Sequence, residues 1–311
     1  MPRATDLTME TTIETFDAEL PHGITLSCRA AGAVDAPLVV FLHGFPEAAF
    51  AWDEILLALS DRYRCVAPNL RGFEHSSAPP AVEAYRAKHL MADIEALVAH
   101  CQRAAGRDPA TPLHALVAHD WGGAVAWGFA ALRPQRLGRL IIINSPHPVT
   151  FLRELRHSPQ QQAASAYMNF FCRDDAAERL AADDHALMIR MLQSGGTGWL
   201  DDALAARYRA VWRAGLQGGL NYYRASPLRP PRDGDDRTLQ AVQIPPETAT
   251  VRVPTLVIWG ERDTALMPSL LDGLEAWVPD LRVVRVADAT HWIVHEQPEL
   301  VEREIGRFLA S

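Results

Sequence analysis

Hydrophobic positions along this chain follow two rhythms that take turns. Short β-branched runs are separated by longer stretches in which apolar residues recur every three or four positions, the mark of strand–helix–strand units and a mainly parallel sheet. The first strands are predicted over Thr11–Phe16 and Ile24–Arg29, joined by a turn at Pro21-His22-Gly23. Leu38–Leu42 is a continuous apolar run, as expected of a strand covered on both faces. A helix at Ala51–Leu59, a strand at Tyr63–Ala67 and a loop at Asn69–Pro80 follow. Helical spacing of Leu90, Ile94, Leu97 and Val98 predicts a helix over Tyr85–Cys101. The strand Leu113–Ala118 leads to a helix from about Ala124, and the strand Leu140–Ile143 closes this half.

The strand rhythm then lapses. Between Pro146 and Pro246 the sequence is rich in Ala, Arg, Asp, Gln and aromatics and ends in proline-laden stretches, which reads as a helical insertion with linkers. It resumes with a strand at Thr255–Trp259, a helix at Ser269–Trp277, a strand at Leu281–Val286 and a helix at Pro298–Leu309. The expected organisation is α/β, with eight strands in a mostly parallel sheet flanked by helices and a helical cap after the sixth strand. Residues 1–145 and 247–311 form the core, and 146–246 the cap.

Charge narrows the partners. A net charge of −8 argues against nucleic acid and anionic membrane, which reward basic surfaces. No apolar stretch is long enough to span a bilayer, and the N-terminus lacks the apolar segment of a secretory signal, so a cytoplasmic location is expected. Cys28, Cys65, Cys101 and Cys172 are scattered and read as idle thiols rather than a disulfide or zinc set. Nothing calls for a metal or organic cofactor, and a homodimer is left open.

The chemistry concentrates at Ala118-His119-Asp120-Trp121-Gly122-Gly123. A reactive residue flanked two positions away by small residues, between a strand and a helix, is the pattern of a sharp turn that lifts one side chain above the sheet edge. Serine is the usual occupant. Aspartate here needs no base to ionise and can attack an sp³ carbon to form an alkyl ester. The competing reading makes Asp120 only a helix cap; the preceding strand and following glycines favour the reactive one. Asp263, past a buried strand, and His291, after the last strand, arrive in the order nucleophile, acid, histidine. Asp263 would orient His291, which would activate water, with Glu261 as a neighbouring competitor for Asp263's role. His43-Gly44-Phe45-Pro46 follows the strand Leu38–Leu42; backbone N–H groups of Phe45 and Trp121 are the candidate oxyanion donors. His43 and His119 are read as braces for these loops, and the Phe45–Pro46 bond is a candidate cis peptide.

His43–Glu47, His119–Gly123 and Thr290-His291-Trp292 together resemble the epoxide hydrolases of the α/β-hydrolase superfamily, from about residue 20 to the C-terminus. The resemblance implies opening of an epoxide to a vicinal diol through an ester on Asp120. It also implies two cap tyrosines that hold the epoxide oxygen, here Tyr167 and, from Leu220-Asn221-Tyr222-Tyr223-Arg224, Tyr223. Helical geometry sets neighbours about 100° apart, so Tyr222 is expected to face away from the site. Cap aromatics such as Phe170, Phe171, Trp199, Trp212 and Tyr222 suit a small apolar substrate or, equally, cap packing. Haloalkane and haloacetate dehalogenases share the Asp nucleophile and stay open as an alternative with organohalide substrates. Haloalkane dehalogenases hold halide with the Trp after the nucleophile, which Trp121 matches, and with an Asn where this chain has Phe45, while haloacetate dehalogenases carry an Arg where Trp121 stands. A non-catalytic ligand-binding member of the fold is the remote alternative. Glu74 stands where the family commonly has Gly.

Overall fold

The structure is a computed structural model and describes residues 12–194, 196, 198–232 and 237–311. Eight strands form one sheet in the order β1-β2-β4-β3-β5-β6-β7-β8. They are β1 (Glu14–Glu19), β2 (Thr25–Ala31), β3 (Leu38–Leu42), β4 (Arg64–Pro68), β5 (Leu113–His119), β6 (Leu137–Ile143), β7 (Thr255–Gly260) and β8 (Leu281–Val286). β2 pairs antiparallel with β1 and β4, and all other pairs are parallel. Thr11, where the first predicted strand begins, lies outside the described residues.

Side-chain parity explains why the inner strands read as unbroken apolar runs. On β3, Leu38, Val40 and Leu42 enter one core, while Val39 and Phe41 enter the other. β5 and β6 repeat the division, with Leu116 and Ile142 on one side and Val117 and Ile141 on the other. Both faces are therefore dry. Helices α2 (Ala87–Ala104) and α3 (Asp120–Leu132) contribute to the first core, and α1 (Asp53–Leu59) and the C-terminal Pro298–Leu309 to the second.

Two predicted helices differ. α3 starts at Asp120, not near Ala124, because the turn residue is itself the first of the helix. The predicted helix Ser269–Trp277 is two short 3-10 turns, Pro268–Leu271 and Leu274–Ala276. Leu270, Leu271 and Leu274 have helix-like spacing and are buried, but Gly273 between them takes a φ of +75° and breaks the α path.

Between β6 and β7 the chain is helical among the described residues: α4 (Pro148–His157), α5 (Pro159–Ala164), α6 (Tyr167–Phe171), α7 (Ala176–Leu192), α8 (Asp202–Ala214), α9 (Gln217–Ala225), α10 (Arg237–Ala241) and α11 (Pro246–Ala249). α7 is kinked, since Asp183, Asp184 and His185 all have positive φ. Two short helices, α12 (Ile293–Glu296) and α13 (Pro298–Leu309), end the chain. No described helix is long and apolar enough to cross a membrane. All four cysteines are free.

α9 closely approaches the loop that follows β4. A β-carbon on Gly218 would lie 2.4 Å from the Gly72 α-carbon, so the two backbones meet only because both residues are glycine. Beside them Tyr222 donates a hydrogen bond of 2.9 Å to the Arg71 carbonyl.

Candidate active site

β5 ends in the middle of the sheet, and Asp120 turns the chain into α3 with a φ of +48°, a left-handed conformation rare for a residue with a side chain. The turn holds because its neighbours leave no room to relax. A β-carbon at Gly122 would lie 2.5 Å from the Leu42 carbonyl oxygen, and one at Gly123 would lie 2.3 Å from the Ser145 β-carbon. Ser145 donates to the Asp120 carbonyl at 2.7 Å and fastens the elbow to the end of β6.

The two Asp120 carboxylate oxygens have different surroundings. Oδ1 accepts the Phe45 N–H at 2.8 Å, and Oδ2 lies 3.7 Å from His291 Nε2. Gly44 is required for that approach, since a β-carbon there would overlap Asp120 at 2.3 Å. Trp121 is the second residue of α3, where a backbone N–H has no intrahelical acceptor. The Phe45–Pro46 peptide is cis.

His291 Nδ1 meets Asp263 Oδ2 at 2.7 Å. Asp263 is buried, and burial alone would raise its pKa, yet His291, Asn144 and a backbone N–H hold it below the ordinary value. Asn144 Nδ2 donates to Asp263 Oδ2 at 2.8 Å, and the N–H groups of Ala265 and Leu266 reach Oδ1 at 2.8 and 2.9 Å. Burial pushes the His291 pKa down, but Asp263 and then Asp120 outweigh it and bring it up to about 9. The competing carboxylate, Glu261, pairs instead with Arg285 at 2.9 Å.

Both expected braces do this work. His119 Nε2 donates to the His291 carbonyl at 2.9 Å while Nδ1 faces Glu47 at 3.0 Å. His43 Nε2 accepts the Leu70 N–H at 3.1 Å. Glu47 also takes the Tyr208 hydroxyl at 3.0 Å and faces His295. Its burial would raise its pKa, but His295 and His119 hold it well below the usual carboxylate range. Nothing in the sequence marked Asn144, and Glu47 was marked only as the end of the His43–Glu47 segment. Each is one polar residue in a loop, and only its partners reveal it.

Tyr167 and Tyr223 come together above Asp120, with ring centroids 6.1 Å apart. Tyr223 is buried, and burial, then Tyr167 and Asp120, push its phenol up; burial and Asp120 do the same to Tyr167. Both therefore stay protonated and are hydrogen-bond donors. Asp120, Tyr167 and Tyr223 line two adjoining cavities. One, about 340 Å³, extends along Tyr85, Leu90, Phe151, Met168 and Ile244; the other, about 280 Å³, along Phe45, Phe171 and His291. The Tyr222 ring also lines the larger cavity beside Tyr223, so the two neighbours do share it, but the Tyr222 hydroxyl is turned away and donates to the Arg71 carbonyl. Of the other aromatics, Phe170 lines the smaller cavity, while Trp212 donates to the Pro46 carbonyl at 2.7 Å and Trp199 stacks on His295 at 4.3 Å. Glu74 has a φ of +47° and accepts from Asn69 Nδ2, whose Oδ1 takes the Ala49 N–H at 2.8 Å.

Known proteins resemble this chain along nearly its whole length. The sequence profile of the family described as "alpha/beta hydrolase fold" matches residues 37–298. The AB hydrolase superfamily protein YfhM of Bacillus subtilis is 33% identical, over 93% of this chain and 96% of that protein. Epoxide hydrolase 1 of Caenorhabditis elegans is 31% identical, over 89% of this chain and 66% of its own length. The crystal structure of Bacillus megaterium epoxide hydrolase in complex with an inhibitor superposes with a TM-score of 0.85 at 31% identity, covering 95% of this chain and all of that one (100%).

Proposed function

The chain belongs to the α/β-hydrolase fold family as an epoxide hydrolase-like enzyme, and we propose on that premise that it opens an epoxide to a vicinal diol through a covalent ester on Asp120. The observation that carries the reading is the unequal setting of the two carboxylate oxygens. Oδ1 is held by the Phe45 N–H and Oδ2 lies by His291, and Asp120 lines both cavities together with the tyrosines.

An epoxide docks between the sheet edge and the helical cap with its oxygen against the Tyr167 and Tyr223 hydroxyls. Oδ2 attacks a ring carbon; the carbon–oxygen bond of the ring breaks, and the alkoxide is held by both phenols. The resting imidazolium of His291 supplies, through solvent, the proton that makes this alkoxide a hydroxyl. Esterification removes the Asp120 charge, which together with Asp263 and Glu47 raises the His291 pKa, so His291 becomes a more competent base for taking a proton from water. It takes a proton from water, and the oxygen attacks the Asp120 carboxyl carbon. Negative charge then develops on Oδ1, beside the Phe45 and Trp121 N–H groups. Collapse breaks the bond to Oδ2, which departs in the diol with the second water proton. Asp120 is again a carboxylate and His291 again protonated, so the cycle closes.

Dehalogenation would use the same ester but needs a second donor for halide beside Trp121, at the place of Phe45. The Phe45 ring packs against Phe171 and Tyr223, with centroids 5.2 and 5.5 Å apart, and supplies none. Two measurements test the scheme. His291→Gln, mixed with an epoxide the wild type hydrolyses, is expected to gain the substrate mass on Asp120; a variant that stays unmodified rejects the ester. One wild-type turnover in heavy-oxygen water is expected to label the Asp120 carboxylate. Label in the diol alone means direct attack by water. Halide release from organohalides, without diol from epoxides, assigns the chemistry to dehalogenation instead.

A further inference from the structure

The two cavities that meet at Asp120 open to solvent at different places. The larger reaches the surface at Ala87 at the start of α2, Pro227 after α9 and Gln243 after α10, all of them exposed. The smaller reaches it at Ser194, after α7, and at Thr264, next to Asp263, which are exposed as well. Asp120, Tyr167 and Tyr223 line both, so the reacting carboxylate stands where two separately opened chambers join.

His291 is not shared in this way. Among the described residues it lines the smaller cavity and not the larger. Its Nδ1 is taken by Asp263 at 2.7 Å, which leaves Nε2, 3.7 Å from Asp120 Oδ2, as the atom that can take a proton from water. The imidazole keeps 12% of its surface accessible, so the cavity it lines is where water reaches it. The larger cavity has a different wall. The hydroxyls of Tyr222, Ser145 and Ser226 are engaged by backbone groups, and Leu90, Phe151, Met168 and Ile244 present hydrocarbon. Such a wall rewards burial of an apolar substituent.

We infer that the substrate is a terminal epoxide whose single apolar substituent fills the larger cavity, while the smaller cavity admits the water that cleaves the ester. This rests on the epoxide-opening reading above. A covalent ester stops up the passage by which its alkyl group entered, and the alkyl group cannot leave until water has arrived. A second way in resolves this, and the mouth at Ser194 and Thr264 is one. Water entering there meets His291 beside Asp120, gives Nε2 a proton and adds its oxygen to the Asp120 carboxyl carbon. A second substituent on the epoxide would have to lie in the smaller cavity, against Phe171, Leu187 and Met191, and so between that mouth and His291. Internal epoxides are therefore poor substrates, because their own second arm shields the ester.

The test compares two epoxides of equal carbon number: 1,2-epoxyoctane, with one hexyl arm, and trans-4,5-epoxyoctane, with two propyl arms. Diol formation gives kcat, and rapid-quench intact mass follows the ester on Asp120. In the wild type the terminal epoxide is expected to exceed the internal one in kcat by about tenfold, a modest loss for a reacting group kept from its line of approach. An internal epoxide turned over as fast overturns this inference and leaves the epoxide-opening reading standing. That comparison needs no variant. Two variants then separate the cavities, with 1,2-epoxyoctane as substrate. Leu187→Trp, on the half-buried wall of the smaller cavity, is expected to slow decay of the ester about tenfold while its formation stays near the wild-type rate. Ile244→Trp, on the larger cavity, is expected to slow formation and leave decay unchanged. Wild-type decay in folded Leu187→Trp, or equal slowing of decay in both variants, overturns the water route. Absence of ester and diol from both epoxides overturns the epoxide-opening reading and this inference with it.

Discussion

The site depends on a few side chains whose partners fix their charge and direction. His291 offers a sign that can be checked directly. Its folded pKa is near 9 against an ordinary 6.5, so its ion pairs stabilise the fold fully below about pH 6.5 and that contribution is lost as pH rises through about 9. The melting temperature is therefore expected to fall between pH 7 and 9, and His291→Gln to flatten the fall; an equal slope in the variant removes His291 as the cause. Asn144 works at one remove. It donates to buried Asp263 and accepts the Gly260 N–H at 2.8 Å. Asn144→Ala should cost about 2 kcal/mol, through a buried carboxylate deprived of a donor. It should also lower kcat at least tenfold with KM nearly unchanged, because a freer Asp263 orients His291 less well. A proportionate rise in KM in stopped-flow assays would instead mean that Asn144 shapes the cavity.

At the scale of elements, the elbow couples three segments that are far apart in sequence. Asp120 keeps its left-handed backbone because Gly122 lets α3 pass against the end of β3, and Ser145 ties the turn to β6. Gly122→Ala would force a β-carbon against backbone, which cannot swing aside as a side chain can, and should cost about 3 kcal/mol or prevent folding. Chemical denaturation of the variant checks this; a wild-type midpoint would show that the elbow can yield. The strands of this region were readable from apolar runs because both faces of β3, β5, β6 and β7 are dry. The turns at Pro268–Leu271 and Leu274–Ala276 were not, because leucines at helical spacing bury equally well in two short turns separated by a left-handed glycine.

For the whole molecule, Glu47 is the point where layers meet. Its carboxylate joins the loop after β3, the elbow through His119, the inserted helical segment through Tyr208 in α8, and α12 through His295. Since its pKa is depressed, the stability it contributes is present above about pH 4.5 and lost as pH falls through the folded value. Glu47→Gln should lower the melting temperature at pH 7 and lessen its decline on acidification from pH 5. Thermal scans with an unchanged acid slope would move that role elsewhere. The wide sequence separation of these partners explains why none of this was legible beforehand: no local period links residue 47 with 119, 208 and 295.

By itself the sequence determined the alternation of strands and helices, the sharp turn at Asp120 and the order of the carboxylate and imidazole that follow it. Those properties are local, set by side-chain periodicity, by small residues beside a reactive one and by chain order. Tertiary structure decided which oxygen of Asp120 meets the Phe45 N–H and which meets His291, and that Asn144 and Glu47 support the site. These are facts about partners. A polar side chain acquires its partner only when the chain has brought distant segments together and excluded the water that would otherwise have served.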